Sequence, residues 1–252
     1  MATSFVFDAY GTLFDVQSVA EATEAAFPGH GDLITQIWRM KQLEYSWLRS
    51  MMGAYEDFYA VTCQSLAYAL DVIGLPADDA VIAQVAGAYD RLRPYPDAEA
   101  ALVALKGHPR AILSNGSPAM LAALVGDSPL ASNLDTVLSV DEKRAFKPDP
   151  RAYDLVEERL GVKPADVVFV SANGFDIAGA KRYGFRVARI ERAPSAAVRA
   201  DLARESAQGA LRPLTMFKAL RTQLEHLGQA PDFVISSLTD LAHLPGIVPA
   251  AH

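Results

Sequence analysis

Cysteine is almost missing from this chain: Cys63 is the only one in 252 residues. A single thiol rules out an internal disulfide and any structural metal site built on thiolates. No stretch of sequence approaches the ~18 consecutive apolar residues of a membrane helix. The first residues, Met1-Ala2-Thr3-Ser4, lack the basic start and long apolar run of a signal peptide. The expectation is a cytoplasmic protein with no membrane partner. Basic residues are also short, 23 against 30 acidic ones, which leaves a net charge of −7. Such a surface has no cationic stripe with which to displace counterions from phosphates, so a nucleic-acid partner is not expected. Apolar residues are abundant, at 51% of the chain. That is enough to bury a sizeable core, in one domain or one domain with an insertion. A small-molecule enzyme fits best, and an anionic substrate would need locally placed cations because the global field repels it.

Short β-branched or aromatic runs at residues 5–7, 111–113, 136–138, 167–170, 187–190 and 233–235 predict strands. Several are apolar on both faces, as in a parallel sheet covered on both sides. Helical stretches lie between them. Residues 97–106 end at Gly107, Ser117-Pro118 caps a helix to 125, and Pro194 opens another to about 205. The alternation predicts an α/β fold, a doubly wound parallel sheet with right-handed crossovers. Residues 16–92 break it and read as consecutive helices at 19–26, 33–52, 55–72 and 78–92 with no strand. An insertion directly after the first strand sits over the carboxyl edge of the sheet, where such folds bind ligands. The expected division is therefore a core of residues 1–15 and 93–252 with a helical cap of residues 16–92.

Residues 191–230 form a second excursion, about forty residues between two predicted strands. A helix over 214–227 carries apolar residues at 214, 217, 220, 224 and 227, one stripe at helical spacing. The stripe either packs on the chain's own core or meets a second copy. Residues 249–252 read as a frayed tail.

Four segments at predicted strand ends carry the chemistry. In the first, Asp8 closes the run Phe5-Val6-Phe7 and opens a turn with Tyr10, Gly11 and Thr12. A carboxylate at the carboxyl end of a buried strand is well placed to act as a nucleophile. The second is Ile112-Leu113-Ser114-Asn115-Gly116, whose geometry aims backbone N–H groups and the Ser114 hydroxyl at an anion. The third is Phe146-Lys147-Pro148-Asp149-Pro150, followed by Tyr153. The fourth is Val170-Ser171-Ala172-Asn173-Gly174-Phe175-Asp176. Taken singly, Asp8 and Ser114-Asn115-Gly116 are turn residues, Lys147 is a surface lysine, and Ser171, Asn173 or Asp176 is a helix cap. The order and spacing of all four argue for one site.

The four segments resemble the motifs of the haloacid dehalogenase superfamily, built on a Rossmann-like core with a helical cap at this point of the chain. Phosphatase members carry a second Asp where Tyr10 stands, whereas the 2-haloacid dehalogenase branch has an Asp-Ala-Tyr-Gly-Thr run like residues 8–12. In the magnesium-dependent phosphatases the ion is held by the first Asp, by the backbone two residues on, and by two acids of the fourth motif spaced four apart. Counting back four from Asp176 gives Ala172, which has no oxygen for a hard cation. Tyr10 likewise replaces the acid that would protonate a leaving alcohol. No metal and no cofactor are therefore expected, with Lys147 supplying positive charge near Asp8.

A halide leaves unprotonated and needs only a cationic, partly desolvated pocket. The segment 37–45 is similar to the family's arginine-bearing cap segment, so the resemblance implies that Arg39 receives the halide. On periodicity alone Arg39 reads as an exposed residue paired with a glutamate. Asn115 would contact the same ion, and Tyr10, Leu43, Phe58 and Phe175 would wall it. Two positions depart from the family pattern: Met40 stands where a glutamine is familiar, and Ala172 where a serine is.

The resemblance implies hydrolysis of short-chain (S)-2-haloalkanoic acids to (R)-2-hydroxy acids and halide through an Asp8 ester. Ser114 and the backbone N–H groups of the turn Asp8-Ala9-Tyr10 would hold the substrate carboxylate. Lys147 would orient Asp8, steadied by Tyr153 and Ser171, and Asp176, Asn173 and Thr12 would hold the hydrolytic water. A homodimer is also implied. The alternatives are a phosphatase or phosphonatase of the same fold, or a non-catalytic protein that kept it. The last would be expected to have lost one of Asp8, Lys147, Asn173 or Asp176.

Overall fold

Ser4–Phe7 forms β1, buried on both faces, and it is the strand around which everything else is arranged. The computed structural model describes residues 3–247; the tail expected at 249–252 lies outside them. After β1 come β2 (Phe14–Asp15) and β3 (Arg93–Pro94), then β4 (Arg110–Ser114), β5 (Thr136–Ser139), β6 (Val167–Ser171), β7 (Arg186–Ile190) and β8 (Phe233–Ile235). Six strands make one sheet in the order β5-β4-β1-β6-β7-β8, and every pairing in it is parallel. From β1 the chain builds outward through β4 and β5, then returns to the other side of β1 for β6. That reversal is a topological switch point, and the carboxyl ends of β1, β4 and β6 open the crevice where such sheets bind ligands.

Between β2 and β3 the chain is helical: α1 (Ala20–Ala26), α2 (Gly31–Met51), α3 (Phe58–Ile73) and α4 (Asp79–Ala86). Sequence reasoning saw these helices but not the ribbon that closes them off. Phe14 pairs with Pro94 and Asp15 with Arg93, antiparallel, at the two ends of the insertion. A two-residue ladder leaves no period-2 pattern to read. The local signals for α3 are clear, since the Asp57 side chain accepts from the Ala60 N–H and Gly74 ends it at φ 77°. The stretch expected to be helical to residue 92 is α4 only to Ala86, followed by a tighter 3₁₀ segment, Gly87–Arg91.

The remaining helices are α5 (Ala98–Ala104), α6 (Pro118–Gly126), α7 (Pro150–Leu160), α8 (Gly174–Tyr183), α9 (Ser195–Ala207) and α10 (Pro213–Thr222). Asp149 caps α7 through the Arg151 N–H, and Pro150 takes the first helical position, where a missing N–H costs nothing. The helix expected over 214–227 stops at Thr222 because Gln223 is extended, so positions 224 and 227 lie beyond it. Phe217 of the expected stripe is buried, while Leu220 and Leu227 are 56% and 66% exposed. α10 packs on α9 and on α2.

One apolar core runs through both the sheet and the insertion. It takes in Phe5, Phe7, Phe169 and Phe185 around the sheet and Trp38, Leu66 and Tyr89 in the helical segment. Each such side chain, fully buried, contributes roughly 1.5–3 kcal/mol. Polar clasps add precision: Tyr55 Oη donates to Asp141 Oδ1 at 2.7 Å, and the Phe146 N–H donates to Ser50 Oγ at 2.9 Å. Among the described residues no helix is long and apolar enough to cross a membrane.

Candidate active site

The β1 ladder ends at Phe7, and Asp8 follows it into a turn in which Thr12, Leu13 and Phe14 all direct their N–H groups at the Ala9 carbonyl. Gly11 sits in this turn at φ 84°, a conformation that side chains strain. The fold thus brings a buried carboxylate to the switch point with both oxygens occupied. Lys147 Nζ donates to Oδ1 at 2.8 Å; Thr12 Oγ1 and Asn173 Nδ2 donate to Oδ2 at 3.0 and 2.8 Å.

Lys147 is fully buried and spends all three ammonium hydrogens: on Asp8, on Asp176 Oδ2 at 2.7 Å, and on the Leu113 carbonyl at 3.0 Å. The last bond takes a carbonyl from the end of β4. Among the described residues the Ala9 and Tyr10 N–H groups have no protein acceptor, so both are free for a bound anion.

Burial alone would pull the lysine pKa down, but Asp176 and Asp8 outweigh it and the net shift is upward. Burial raises the Asp176 carboxyl to about 6, opposed by Lys147 and reinforced by Asp8. Tyr153 Oη donates to Asp176 Oδ1 at 2.8 Å.

Sequence reasoning had Tyr153 and Ser171 steadying Lys147, and the arrangement differs. With its donors spent, the ammonium offers nothing to either hydroxyl. Tyr153 reaches the lysine only through Asp176, and Ser171 Oγ accepts from the Asn173 N–H at 3.1 Å. Thr12 Oγ1 also accepts from the Ala172 N–H, tying the first turn to the fourth. Asn173 occupies the N-cap position of α8 without capping it, because its side chain is used elsewhere.

Above this cluster lies a cavity of about 270 Å³, lined by Gly11, Arg39, Asn173, Phe217 and Arg221 among others. That is slightly below the ~300–1,000 Å³ of drug-sized sites and suits a small molecule. Arg39 is buried on α2 and faces this space; its Nη1 donates to Gln42 Oε1 at 2.6 Å. The surface pairing with a glutamate that periodicity suggested does not occur. Gln42 is itself fixed by Thr62 and Tyr89.

Asn115 Oδ1 accepts from the Lys147 backbone N–H at 2.9 Å, which leaves its amide N–H₂ for an anion. Ser114 is buried and accepts from the Gly116 N–H, keeping its own hydroxyl hydrogen free to donate. Tyr10 stacks on Phe58 at 5.6 Å between ring centroids, and Leu43 is buried on the same helix as Arg39. Phe175 stands apart from that pair, packed edge-on against Trp47 at 5.3 Å. Burial, then Tyr89 and Asp90, push the Tyr10 phenol far above its ordinary range, so it stays protonated. Met40 is 45% exposed, clear of the cavity.

Arg221 was not foreseen. It lies on α10, within the excursion, and its Nη2 donates to Asn173 Oδ1 at 2.8 Å. This bond determines which end of the amide faces Asp8: a flip would set oxygen against carboxylate and N–H₂ against guanidinium. The only trace in the sequence is a basic residue one turn after Phe217, inside a stripe that reads as packing.

Two acids four residues apart would be needed beside Asp8 for a magnesium site, and Ala172 supplies none. Among the described residues no group of three or more His, Cys, Asp or Glu side chains could hold a metal ion. The space between the carboxylates of Asp8 and Asp176 belongs to the Lys147 ammonium.

Known proteins resemble this chain along its whole length. Residues 3–184 match the model of the haloacid dehalogenase-like hydrolases. The whole chain is 57% identical to an (S)-2-haloacid dehalogenase of Xanthobacter autotrophicus, over 98% of that protein. It is 37% identical to haloacetate dehalogenase H-2 of a Moraxella species, over 96% of each chain. A solved structure of an L-2-haloacid dehalogenase from Xanthobacter autotrophicus, with chloropropionic acid covalently bound, superposes with a TM-score of 0.91, covering 96% of this chain and 98% of that one.

Proposed function

The chain belongs to the haloacid dehalogenase-like hydrolases, and from that premise we propose that it hydrolyses short-chain (S)-2-haloalkanoic acids to (R)-2-hydroxy acids and halide. The observation that carries this reading is a buried carboxylate, Asp8, held by a lysine and two neutral donors, beside a tyrosine where phosphoryl transfer would need an acid.

An Asp8 oxygen attacks the halogen-bearing carbon from the side opposite the halogen. The carbon–oxygen bond forms as the carbon–halogen bond breaks, and the halide departs with the electron pair, inverting the carbon. The covalently held chloropropionic acid of the Xanthobacter structure supports such an ester. Ser114 and the free Ala9 and Tyr10 N–H groups hold the substrate carboxylate and fix which enantiomer offers its back face. Arg39 and Asn115 take the halide, beside an apolar wall of Tyr10, Leu43 and Phe58, with Phe175 set apart from it against Trp47.

In the second half, water attacks the carbonyl carbon of the Asp8 ester. Asp176, with a pKa near 6, is ionised at neutral pH and takes the proton, acting with Asn173 and Thr12. The tetrahedral carbon then collapses and the bond from the acyl carbon to the substrate oxygen breaks. The hydroxy acid leaves with the proton returned by Asp176, and Asp8 is restored as a carboxylic acid that gives up its proton to solvent. Lys147, Thr12 and Asn173 already sit on the two carboxylate oxygens, so whichever oxygen remains carbonyl has a donor in place as charge develops. Tyr153 and Ser171 support this machinery through Asp176 and Asn173. Residues 16–92 act as the cap over a core of residues 1–15 and 93–252, and water is excluded between them. With the lysine in the cation position, the proposed reaction uses no metal.

The reading also includes a homodimer, supported by the exposed Leu220 and Leu227 of the 191–230 excursion. A cytoplasmic location suits a chain whose single thiol needs no oxidising compartment. Halide release from 2-chloropropionate tests the function. The (S) enantiomer is consumed and the (R) is not, with EDTA making no difference; release that stops with EDTA overturns it. In heavy-oxygen water a single turnover labels Asp8, and label in the first product formed would mean direct attack by water.

A further inference from the structure

Two guanidinium groups face the cavity above Asp8 without an ion-pair partner. Arg39 and Arg221 both line it, each has an amide oxygen as its hydrogen-bond acceptor, and neither pairs with a carboxylate among the described residues. The other cations there are engaged or exposed. Arg192 is spent on Asp97 and the Thr12 carbonyl, Arg189 lies against Glu191 and the Thr222 carbonyl, and Lys218 is exposed at the rim. Burial, then the nearby Arg39 charge, bring Arg221 down to about 10, against the smaller opposing pull of Glu225, Asp8 and Asp176. A buried guanidinium without an ion pair is costly, and in a protein of net charge −7 two of them lining one cavity mark a seat for an anion.

Resting on the reaction proposed above, we infer that Arg221 is a second station for the halide: the ion released beside Arg39 passes to Arg221 on its way out through the cavity. The chemistry supplies an ion for such a relay. When the Asp8 ester forms, the negative charge of Asp8 moves onto the halide, so the cavity holds one anion more than the substrate brought. Arg39 alone would bind that ion tightly and slow its departure. A second guanidinium, flanked by the Phe175 ring at 5.6 Å, lowers the step between the inner seat and the mouth. Its bond to Asn173 keeps it in place 48 positions along the chain from the residue it holds.

The probe is sodium bromide at constant ionic strength, with gluconate as the balancing anion, read as the rise in melting temperature and as product inhibition of 2-chloropropionate hydrolysis. The variants are Arg221→Gln, Arg221→Lys and, as a control at the rim, Lys218→Gln. In wild type, bromide raises the melting temperature, because an anion bound to the native state stabilises it. Arg221→Gln weakens bromide about tenfold by both readouts, the factor that loss of one charged hydrogen bond produces. Arg221→Lys stays within about threefold of wild type, and Lys218→Gln within about twofold, since an exposed charge is screened. Equal bromide affinity in wild type and Arg221→Gln overturns the inference. So does a loss in Lys218→Gln as large as that in Arg221→Gln, because then only the general field matters. Bromide stabilisation that depends on Arg221 in a protein that releases no halide from 2-chloropropionate would keep the seat and discard the reaction.

Discussion

The inner cluster around Asp8 and the outer cavity around Arg39 hold charges of opposite kinds under opposite conditions. Inside, one ammonium lies between two carboxylates, and every hydrogen on it is bonded. Outside, two guanidinium groups share a cavity, and among the described residues neither forms an ion pair with a carboxylate. The inner cluster is complete without substrate and presents the nucleophile in one fixed orientation. The outer one is completed only by what it binds. A buried, satisfied ion cluster breaks expensively when a member is removed, whereas a buried cation without an ion pair already costs stability until a ligand arrives, so removing it costs the fold little. Inner substitutions should therefore damage chemistry and folding together, and outer ones chemistry alone.

The sharpest test is Asp8→Asn, which keeps the shape but removes the nucleophile: halide release falls by at least about 10⁴-fold in a steady-state assay. Residual turnover above that level would locate the attacking group elsewhere. Lys147→Met should come next. It leaves two carboxylates buried together and costs about 3–5 kcal/mol in denaturant unfolding, along with activity. On the outer side, Arg39→Gln lowers kcat by about 10²–10³-fold with a melting temperature close to wild type. A large loss of stability in that variant would erase the distinction between the two regions.

The mildest test is pH. Asp176 ionises near 6 in the folded protein, above the ordinary carboxyl range, so its protonated form is the one favoured by folding. Its contribution to stability is full below about pH 4, the ordinary value for an aspartate, and is lost as pH rises through about 6. Activity runs the other way, since the base must be ionised, and kcat falls as the pH drops below about 6. Asp176→Asn removes the acid limb of whatever turnover remains, and an unchanged limb would assign it to another group.

Much of this was legible because strand ends and motifs coincide. Asp8, Ser114 and Ser171 each lie at or beside the last residue of a buried strand, and a parallel sheet brings those ends together whatever the intervening chain does. Arg39 needed more than its own surroundings in sequence, since periodicity put it on a solvated face. The family resemblance turned it inward, and burial agrees. Arg221 could not be read at all. Its partner lies 48 residues away, and the helix carrying it presents an apolar stripe that looks complete without it. The roles of Tyr153 and Ser171 shifted for a countable reason: three ammonium hydrogens serve three acceptors, and the sequence shows how many donors a lysine has but not where they are spent.

The small ribbon of Phe14–Asp15 against Arg93–Pro94 fastens the outgoing and returning chain side by side. Whatever is threaded between those two points imposes no spacing on the sheet, since both ends arrive at one spot regardless of length. The helical segment can therefore change its length without moving the strand that carries Asp8 into place.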